Sequence, residues 1–290
     1  MNTARLILLL VAALLLAAGP ATKPVATKSQ RTGAYQTRFV EPHELASQRE
    51  AQKRFRWREK PQPFTLSDET FQVYVPEDYK ADGSFGVFVW VSPTPSGRLP
   101  KMWIDSLGKQ KLIWIAADES QNERHIDHRC RMAVEAALHA IDLYEIDPIR
   151  VYIGGFSGGG KIAAMSAANY AEVFTGALSI CGPLFYRNIP TGLKKDEYYP
   201  QGYYPMPPKM MQRFRSETRH VLLTGDTDFN LQPTKQIHEH GYVKDKFRFF
   251  ELLIVPGLAH DLPAAEWFER AILSLDRPLA ASTQPTRPRR

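Results

Sequence analysis

The stretch that decides the fold is Val151–Lys161, which reads VYIGGFSGGGK. It places the pattern Gly155-x-Ser157-x-Gly159 between a short apolar run and a segment with helical spacing. A nucleophilic serine needs a tight strand-to-helix turn that exposes its hydroxyl, and small flanking residues let neighbouring backbone approach it. The five-residue pattern is common by chance, but in this context it predicts a strand, a sharp turn and a helix, with Ser157 as a candidate nucleophile.

The same stretch partly fits a phosphate-binding loop, because Gly155-x4-Gly160-Lys161 matches the start of that pattern. Ile162 follows, where such a loop needs Ser or Thr to hold Mg²⁺. The nucleophile interpretation is therefore favoured. No cofactor and no metal are predicted, and the neighbouring His238 and His240 are expected to be surface histidines because no third ligand has suitable spacing.

Strands and helices alternate on both sides of this stretch. The short apolar runs Val87–Val91 and Leu112–Ala116 are typical of parallel strands that are buried on both faces. Phe71–Val75 alternates apolar and polar residues and predicts an antiparallel strand, and Asp127–Tyr144 has helical spacing. The chain is therefore predicted to be an α/β protein with a mainly parallel central sheet, helices on both faces and active groups at the carboxyl ends of the strands.

Two later clusters supply the groups that a serine nucleophile needs. A serine hydroxyl reacts slowly until a base takes its proton, and that base needs an orienting carboxylate. Residues 222–230 (LLTGDTDFN) leave an apolar strand and offer Asp226 and Asp228, and His260 leaves the last strand. His260 is the predicted base. Either carboxylate could reach it, and Asp228 is favoured because a residue later in the turn can aim back over the sheet.

At these motifs the chain resembles a known family. Residues 147–160 (DPIRVYIGGFSGGG), Gly225-x-x-Asp228 and the later His260 resemble the polyhydroxybutyrate-depolymerase and feruloyl-esterase branch of the α/β hydrolases. The resemblance spans most of residues 70–275. It implies an α/β-hydrolase fold and hydrolysis of an ester through an acyl-enzyme, with Ser157, Asp228 and His260 as the triad, and it favours Asp228 over Asp226.

The chain departs from that family in the loop expected to bind the oxyanion. Members usually carry His-Gly after the third strand, whereas residues 92–97 here read SPTPSG. Two of these residues are prolines without an N–H, so Thr94 is the predicted second oxyanion donor, with Ser92 behind it. Gly158, at the start of the helix that follows the nucleophile, is the predicted first donor. Residues 118–122, after another strand, are also expected to border the site.

The first residues predict export. A basic start, the apolar run Leu6–Ala18 and small residues up to Ala21 are the order of a signal peptide over residues 1–21. The protein is therefore expected in the periplasm or outside the cell. The run is shorter than the ~20 residues of a membrane span, so no stable span is expected after signal removal.

Composition divides the rest of the chain. Residues 22–60 form a predicted N-terminal extension, which begins with a flexible tether over Thr22–Thr37. Residues 61–279 are predicted to form the hydrolase domain, and residues 280–290 a disordered tail. The net charge of +6 is modest, and no aromatic-interleaved basic stripe occurs, so no nucleic-acid partner is predicted. Cys130 and Cys181 are expected to be buried thiols, although an oxidising compartment would allow them to pair.

The long segment over residues 182–216 is a possible cap insertion. It is rich in Tyr, Met and Pro, and its aromatic side chains could line a substrate pocket or pack the insertion onto the domain. The expected partner is a small-molecule or polymer ester. Three functions remain open: an esterase, a peptidase or depolymerase of the same fold, and a weakly active or inactive envelope-binding protein.

Overall fold

A computed structural model describes residues 28–58, 60 and 62–278. An eight-stranded sheet forms the centre of this part of the chain. In chain order the strands are β1 (Gly33–Thr37), β2 (Phe71–Val75), β3 (Phe85–Val91), β4 (Leu112–Ala117), β5 (Ile146–Phe156), β6 (Gly176–Ile180), β7 (Ile189–Pro190), β8 (Tyr198–Tyr199), β9 (Arg219–Gly225) and β10 (Phe250–Val255). Strands β7 and β8 form a separate hairpin, and the others lie in the order β1-β2-β4-β3-β5-β6-β9-β10.

Six neighbouring strands of the central sheet are parallel. They run from β4 through β3, β5, β6 and β9 to β10, while β1 and β2 join the edge in antiparallel pairs. All residues of β3 and β4 are buried, because both faces of these strands are covered. The predicted mainly parallel sheet, and the predicted antiparallel strand over Phe71–Val75, are both confirmed.

Helices cover both faces of the sheet. They are α1 (Gln48–Phe55), α2 (Ile104–Lys109), α3 (Ile126–Leu143), α4 (Gly158–Asn169), α5 (Pro208–Ser216), α6 (Leu231–Gln236), which continues into a π-helical turn over Ile237–Val243, and α7 (Ala265–Leu275). Alternate residues of β3 enter two separate cores. Val87 and Val89 pack with α1, α3 and α4, whereas Phe88 and Trp90 pack with α2 and α7.

The N-terminal extension is more ordered than the sequence indicated. The predicted tether over Thr22–Thr37 is wrong from Gly33 onward, because β1 pairs with β2 along the edge of the sheet. The backbone partners that make this strand stable lie 34 to 42 residues away, from Thr37↔Phe71 to Gly33↔Val75 in the antiparallel register, so local composition gave no sign of them. The predicted signal peptide (1–21) and tail (280–290) lie outside the described residues. No helix of residues 28–278 that the structure describes is both long and apolar enough to cross a membrane.

The segment over residues 182–216 folds onto the domain. It contains β7, β8 and α5 and is less irregular than expected. Six of its large apolar side chains belong to the core that covers one face of the sheet: Phe185, Tyr186, Ile189, Tyr203, Met206 and Phe214. For these residues, packing rather than pocket lining is the role that the structure supports.

The two cysteines are unpaired and buried. Cys130 lies in α3, and Cys181 directly follows β6. The interpretation of Cys130 and Cys181 as buried thiols is therefore confirmed. Burial raises the pKa of both thiols to about 12, so both stay protonated at neutral pH.

Candidate active site

Ser157 occupies a strained turn between β5 and α4. Strand β5 ends at Phe156 and α4 begins at Gly158, so the chain reverses at a single residue. Ser157 has φ 53° and ψ −119°, a backbone conformation that L-residues seldom adopt. Its N–H donates to the Ile180 carbonyl at 2.8 Å, which ties the turn to the end of β6. The hydroxyl is thereby presented at the carboxyl edge of the sheet.

Two glycines make room for this turn. A Cβ on Gly155 would lie 2.3 Å from the carbonyl carbon of Gly159. A Cβ on Gly159 would lie 1.9 Å from the carbonyl oxygen of Val91 in the neighbouring strand. Both distances are far below van der Waals contact, so only hydrogen fits at either position. The small flanking residues that the motif supplies are therefore a steric requirement of the turn.

One line of hydrogen bonds joins three loops at this edge. His260 Nε2 lies 2.9 Å from Ser157 Oγ, and His260 Nδ1 lies 2.9 Å from Asp228 Oδ1. Ser157 follows β5, Asp228 follows β9 and His260 follows β10. Because these parallel strands all end at the same edge, residues that are 71 and 32 positions apart in sequence meet there (228 − 157 and 260 − 228). The structure thus brings the three predicted residues together.

The Asp228 carboxylate is fully buried and surrounded by donors. Burial alone would raise the pKa of this carboxyl. Four hydrogen-bond donors oppose that effect: the Asn230 N–H at 3.0 Å, the Cys181 thiol, the Thr224 hydroxyl at 2.7 Å and the His260 ring. The net result is a pKa below the ordinary aspartate value. Asp228 therefore remains ionised at neutral pH and can stabilise a positively charged imidazole.

Asp226 has a different task. Its side chain is exposed, and Oδ1 accepts a hydrogen bond from the Gly257 N–H at 2.7 Å. That bond joins the turn after β9 to the turn after β10, which carries His260. The His260 imidazole therefore bonds to Asp228, and Asp226 instead connects two loops.

The first predicted oxyanion donor, Gly158, lies at the start of α4. The Lys161 N–H donates to the Ser157 carbonyl at 3.2 Å, so the preceding amides, including that of Gly158, have no partner within the helix. Asn122 lies over this turn, with its side-chain oxygen 2.0 Å from the place where a Gly158 Cβ would be. The amide of Asn122 thus fills the space that the missing side chain leaves.

The second predicted donor, Thr94, is engaged elsewhere. Its N–H donates to Ser92 Oγ at 3.1 Å, and the two hydroxyl oxygens lie 3.0 Å apart. The buried Arg129 guanidinium, from α3, donates to the Ser92 carbonyl at 3.2 Å. The loop after β3 is therefore held in place at Ser92, while Thr94 is exposed beside it.

Several neighbours of the line were not identified from the sequence. The rings of Phe156 and Phe229 lie 4.9 and 4.2 Å from the His260 ring and flank it. Cys181 contacts Asp228, and its carbonyl accepts from the Asn230 side chain at 2.8 Å. Of these, only the position of Asn230 two residues after a candidate acid carried a usable signal, since Asp and Asn commonly bond to backbone two residues on.

Two groups of three metal-ligating side chains occur among the described residues. One is Cys181, Asp228 and His260, whose atoms already form the hydrogen-bonded line just described. The other group, His43, Glu135 and His139, lies in the N-terminal extension and in α3.

Comparisons with known proteins support the fold. No protein-family model and no curated protein sequence matches the chain. Among solved structures, an S-formylglutathione hydrolase of Staphylococcus aureus is similar, with 13% identity, a TM-score of 0.55, and coverage of 84% of this chain and 98% of that one. A poly(3-hydroxybutyrate) depolymerase of Bordetella parapertussis has 18% identity and a TM-score of 0.52, covering 74% and 86%.

A Porphyromonas gingivalis dipeptidyl peptidase 4 is also similar, with 17% identity and a TM-score of 0.51 over 71% of this chain. This chain spans only 33% of the length of that peptidase. Together with the sheet order, these similarities show that the chain has the α/β-hydrolase fold. The resemblance inferred from the sequence is confirmed at that level.

The two aspartates can be separated by the rate at which Ser157 reacts with a fluorophosphonate probe. Asp228→Asn leaves the imidazole without a charged partner and is expected to slow labelling by a factor on the order of 10³–10⁴. Asp226→Asn, the matched control, is expected to stay within about threefold, because it alters only the bond to Gly257. The measurement is the second-order labelling rate constant. A larger loss in the Asp226 variant would contradict the assignment.

Proposed function

We propose that this protein is a serine hydrolase that cleaves carboxylic esters through an acyl-enzyme on Ser157. The observation that carries the proposal is the hydrogen-bonded line from Ser157 through His260 to Asp228, with both bonds at 2.9 Å. A hydroxyl, an imidazole and a buried ionised carboxylate in this order are what a serine nucleophile needs.

The proposed reaction has two halves. In the first, Ser157 Oγ attacks the ester carbonyl carbon while His260 Nε2 takes the hydroxyl proton, and the resulting imidazolium is stabilised by Asp228. The tetrahedral intermediate then expels the alcohol, which receives that proton from His260. In the second half, water gives a proton to His260 and attacks the acyl group, and Ser157 regains its hydrogen as the carboxylic acid leaves.

The oxyanion of each intermediate needs preorganised N–H donors. We propose Gly158 as the first, because its amide starts a helix next to the nucleophile. Thr94 is the second, and for this role its N–H must exchange the Ser92 hydroxyl for the substrate oxygen. This exchange is a modest local change, since Thr94 is exposed and the anchor of the loop is Ser92, not Thr94.

The similar structures that match along most of their own length favour an ester substrate over a peptide. The depolymerase in the comparison acts on a polyester, and this chain covers 86% of it. The dipeptidyl peptidase favours a peptidase as the second candidate, and this chain spans 33% of the length of that enzyme. The bond between Thr94 and Ser92 favours a third candidate, an inactive envelope-binding protein, because it occupies a proposed oxyanion donor.

Export is part of the proposal and is supported by the apolar run Leu6–Ala18 with its basic start. The mature protein would then act in the periplasm or outside the cell. When the full chain is produced in a Gram-negative host, we expect the soluble periplasmic fraction to contain a protein whose N-terminus lies near residue 22. Intact-mass measurement checks this, and a cytosolic protein that retains Leu6–Ala18 would contradict export.

The central test uses Ser157→Ala. The wild-type chain is expected to be labelled by a fluorophosphonate and to hydrolyse p-nitrophenyl acetate, butyrate or a feruloyl ester. The variant should lose labelling and lose kcat by a factor on the order of 10⁵–10⁶. Ser166→Ala is the matched control: this serine lies in the helix that follows the nucleophile and is buried away from the line.

The other outcomes separate the alternatives. Labelling of Ser157 with hydrolysis of peptide substrates but of no ester would establish the peptidase candidate. A folded wild-type chain that is not labelled at all would reject the enzyme and leave the binding protein.

The second oxyanion donor is tested by a pair of substitutions at one position. Thr94→Pro removes the N–H and is expected to lower kcat by a factor on the order of 10²–10³. Thr94→Ala keeps the N–H and loses only the hydroxyl, so its kcat should remain within a few-fold of wild type. Both are measured with the best ester, and melting temperatures check that the loop has not unfolded. Equal kcat values for the two variants would exclude Thr94 as a donor.

A further inference from the structure

One face of α3 carries three residues of metal-ligating types. Glu135, His139 and Asp142 lie four and three residues apart, so their side chains project from the same side of the helix. His43, from the N-terminal extension, lies against this face and contacts both carboxylates. The Glu135 side chain is only 1% exposed. Two separate segments of the chain thus meet at a buried carboxylate.

The ligand atoms of this group have the spacing of a metal site. His43 Nδ1 lies 2.7 Å and His139 Nε2 lies 3.4 Å from the same oxygen, Glu135 Oε2. One atom from each of His43, Glu135 and His139 falls within 4.8 Å of the others. Tetrahedral Zn²⁺ with bonds of about 2.0–2.2 Å separates its ligand atoms by about 3.3 Å. Small side-chain adjustments would place one ion among all three.

The ring of His139 has a nitrogen that the protein does not satisfy. Its Nε2 is buried and makes no hydrogen bond to any described residue. The ring also lies against the Glu41 carbonyl, and Phe39 stacks on the ring with the centroids 3.9 Å apart. Nε2 lies 3.4 Å from Glu135 Oε2 without forming a hydrogen bond to it. A cation bound by both groups would satisfy the buried nitrogen and the carboxylate at once.

His43 is oriented in the same way. Its Nδ1 faces Glu135, and its Nε2 lies 3.1 Å from Asp142 Oδ2. Histidines that ligate metals usually donate their other ring N–H to a carboxylate or a backbone carbonyl, which fixes the tautomer and the ring orientation. His43 has the first kind of partner, and His139 has the second.

We propose that His43, Glu135 and His139 bind one Zn²⁺ ion, with Asp142 as a positioning residue for His43. Two imidazoles and a carboxylate suit Zn²⁺ better than Ca²⁺ or Mg²⁺, which prefer oxygen ligands. The ion replaces the Nδ1 proton of His43, which passes to solvent, and water takes the fourth position. The site joins the N-terminal extension to α3, so its expected effect is on stability.

Zinc binding is tested on the untagged full chain after removal of metal with a chelator. Equilibrium dialysis against ZnCl₂ is expected to give one zinc per chain and a higher melting temperature. His139→Gln should lose stoichiometric binding and the melting shift, and Asp142→Asn should bind about 10–100-fold more weakly. Asp142 is half exposed, so Asp142→Asn tests the site in a variant that folds even if His139→Gln does not.

His260→Gln is the matched control, because it removes the histidine of the other group of metal-ligating side chains, Cys181, Asp228 and His260. It should retain one zinc per chain with unchanged affinity. The proposal is overturned if the wild-type chain binds no zinc at tens of micromolar, if folded His139→Gln binds like wild type, or if His260→Gln alone abolishes binding. Unchanged affinity in Asp142→Asn would overturn the positioning role.

Discussion

The positive φ of Ser157 is the constraint on which the rest of the site depends. A serine gains nothing intrinsic from this conformation, so the surroundings must enforce it. The N–H bond to Ile180 fixes one side of the turn, and the contact of Gly159 with Val91 fixes the other. Three adjacent parallel strands, β3, β5 and β6, therefore hold Ser157. Contacts with the neighbouring strands, rather than contacts within the turn, therefore maintain the strained conformation of Ser157.

The buried Asp228 carboxylate imposes a second requirement, because an unsatisfied charge at this depth would be costly. Besides His260, its donors come from the ends of two strands and one loop: Cys181 follows β6, Thr224 is the penultimate residue of β9, and Asn230 lies in the loop after β9. Satisfying the carboxylate thus fixes the relative positions of β6, β9 and the His260 loop. The hydrogen bonds that stabilise the Asp228 carboxylate also hold it where it orients the His260 imidazole. The same contacts therefore stabilise this edge of the sheet and position the ring.

Local sequence could predict the parts of this structure that depend on local physics. The turn at Ser157 needs Gly155 and Gly159, and strands buried on both faces need unbroken apolar runs, so both are visible in the residues themselves. The choice of Asp228 over Asp226 needed the resemblance as well. Strand β1 and the thiol of Cys181 at Asp228 depend on contacts between distant segments. No pattern within any one of those segments could predict them.

Helix α3 connects the loop after β3 with the segment to which the N-terminal extension attaches. Arg129, near its beginning, supports the Ser92 carbonyl and with it the loop that carries Thr94. Glu135 and His139 lie about 9 and 15 Å further along the axis at 1.5 Å per residue, where the N-terminal extension attaches. A rigid helix transmits displacement along its axis, so anchoring its second half restricts the position of Arg129 as well. Through α3, the N-terminal extension therefore also restrains the loop that carries Thr94.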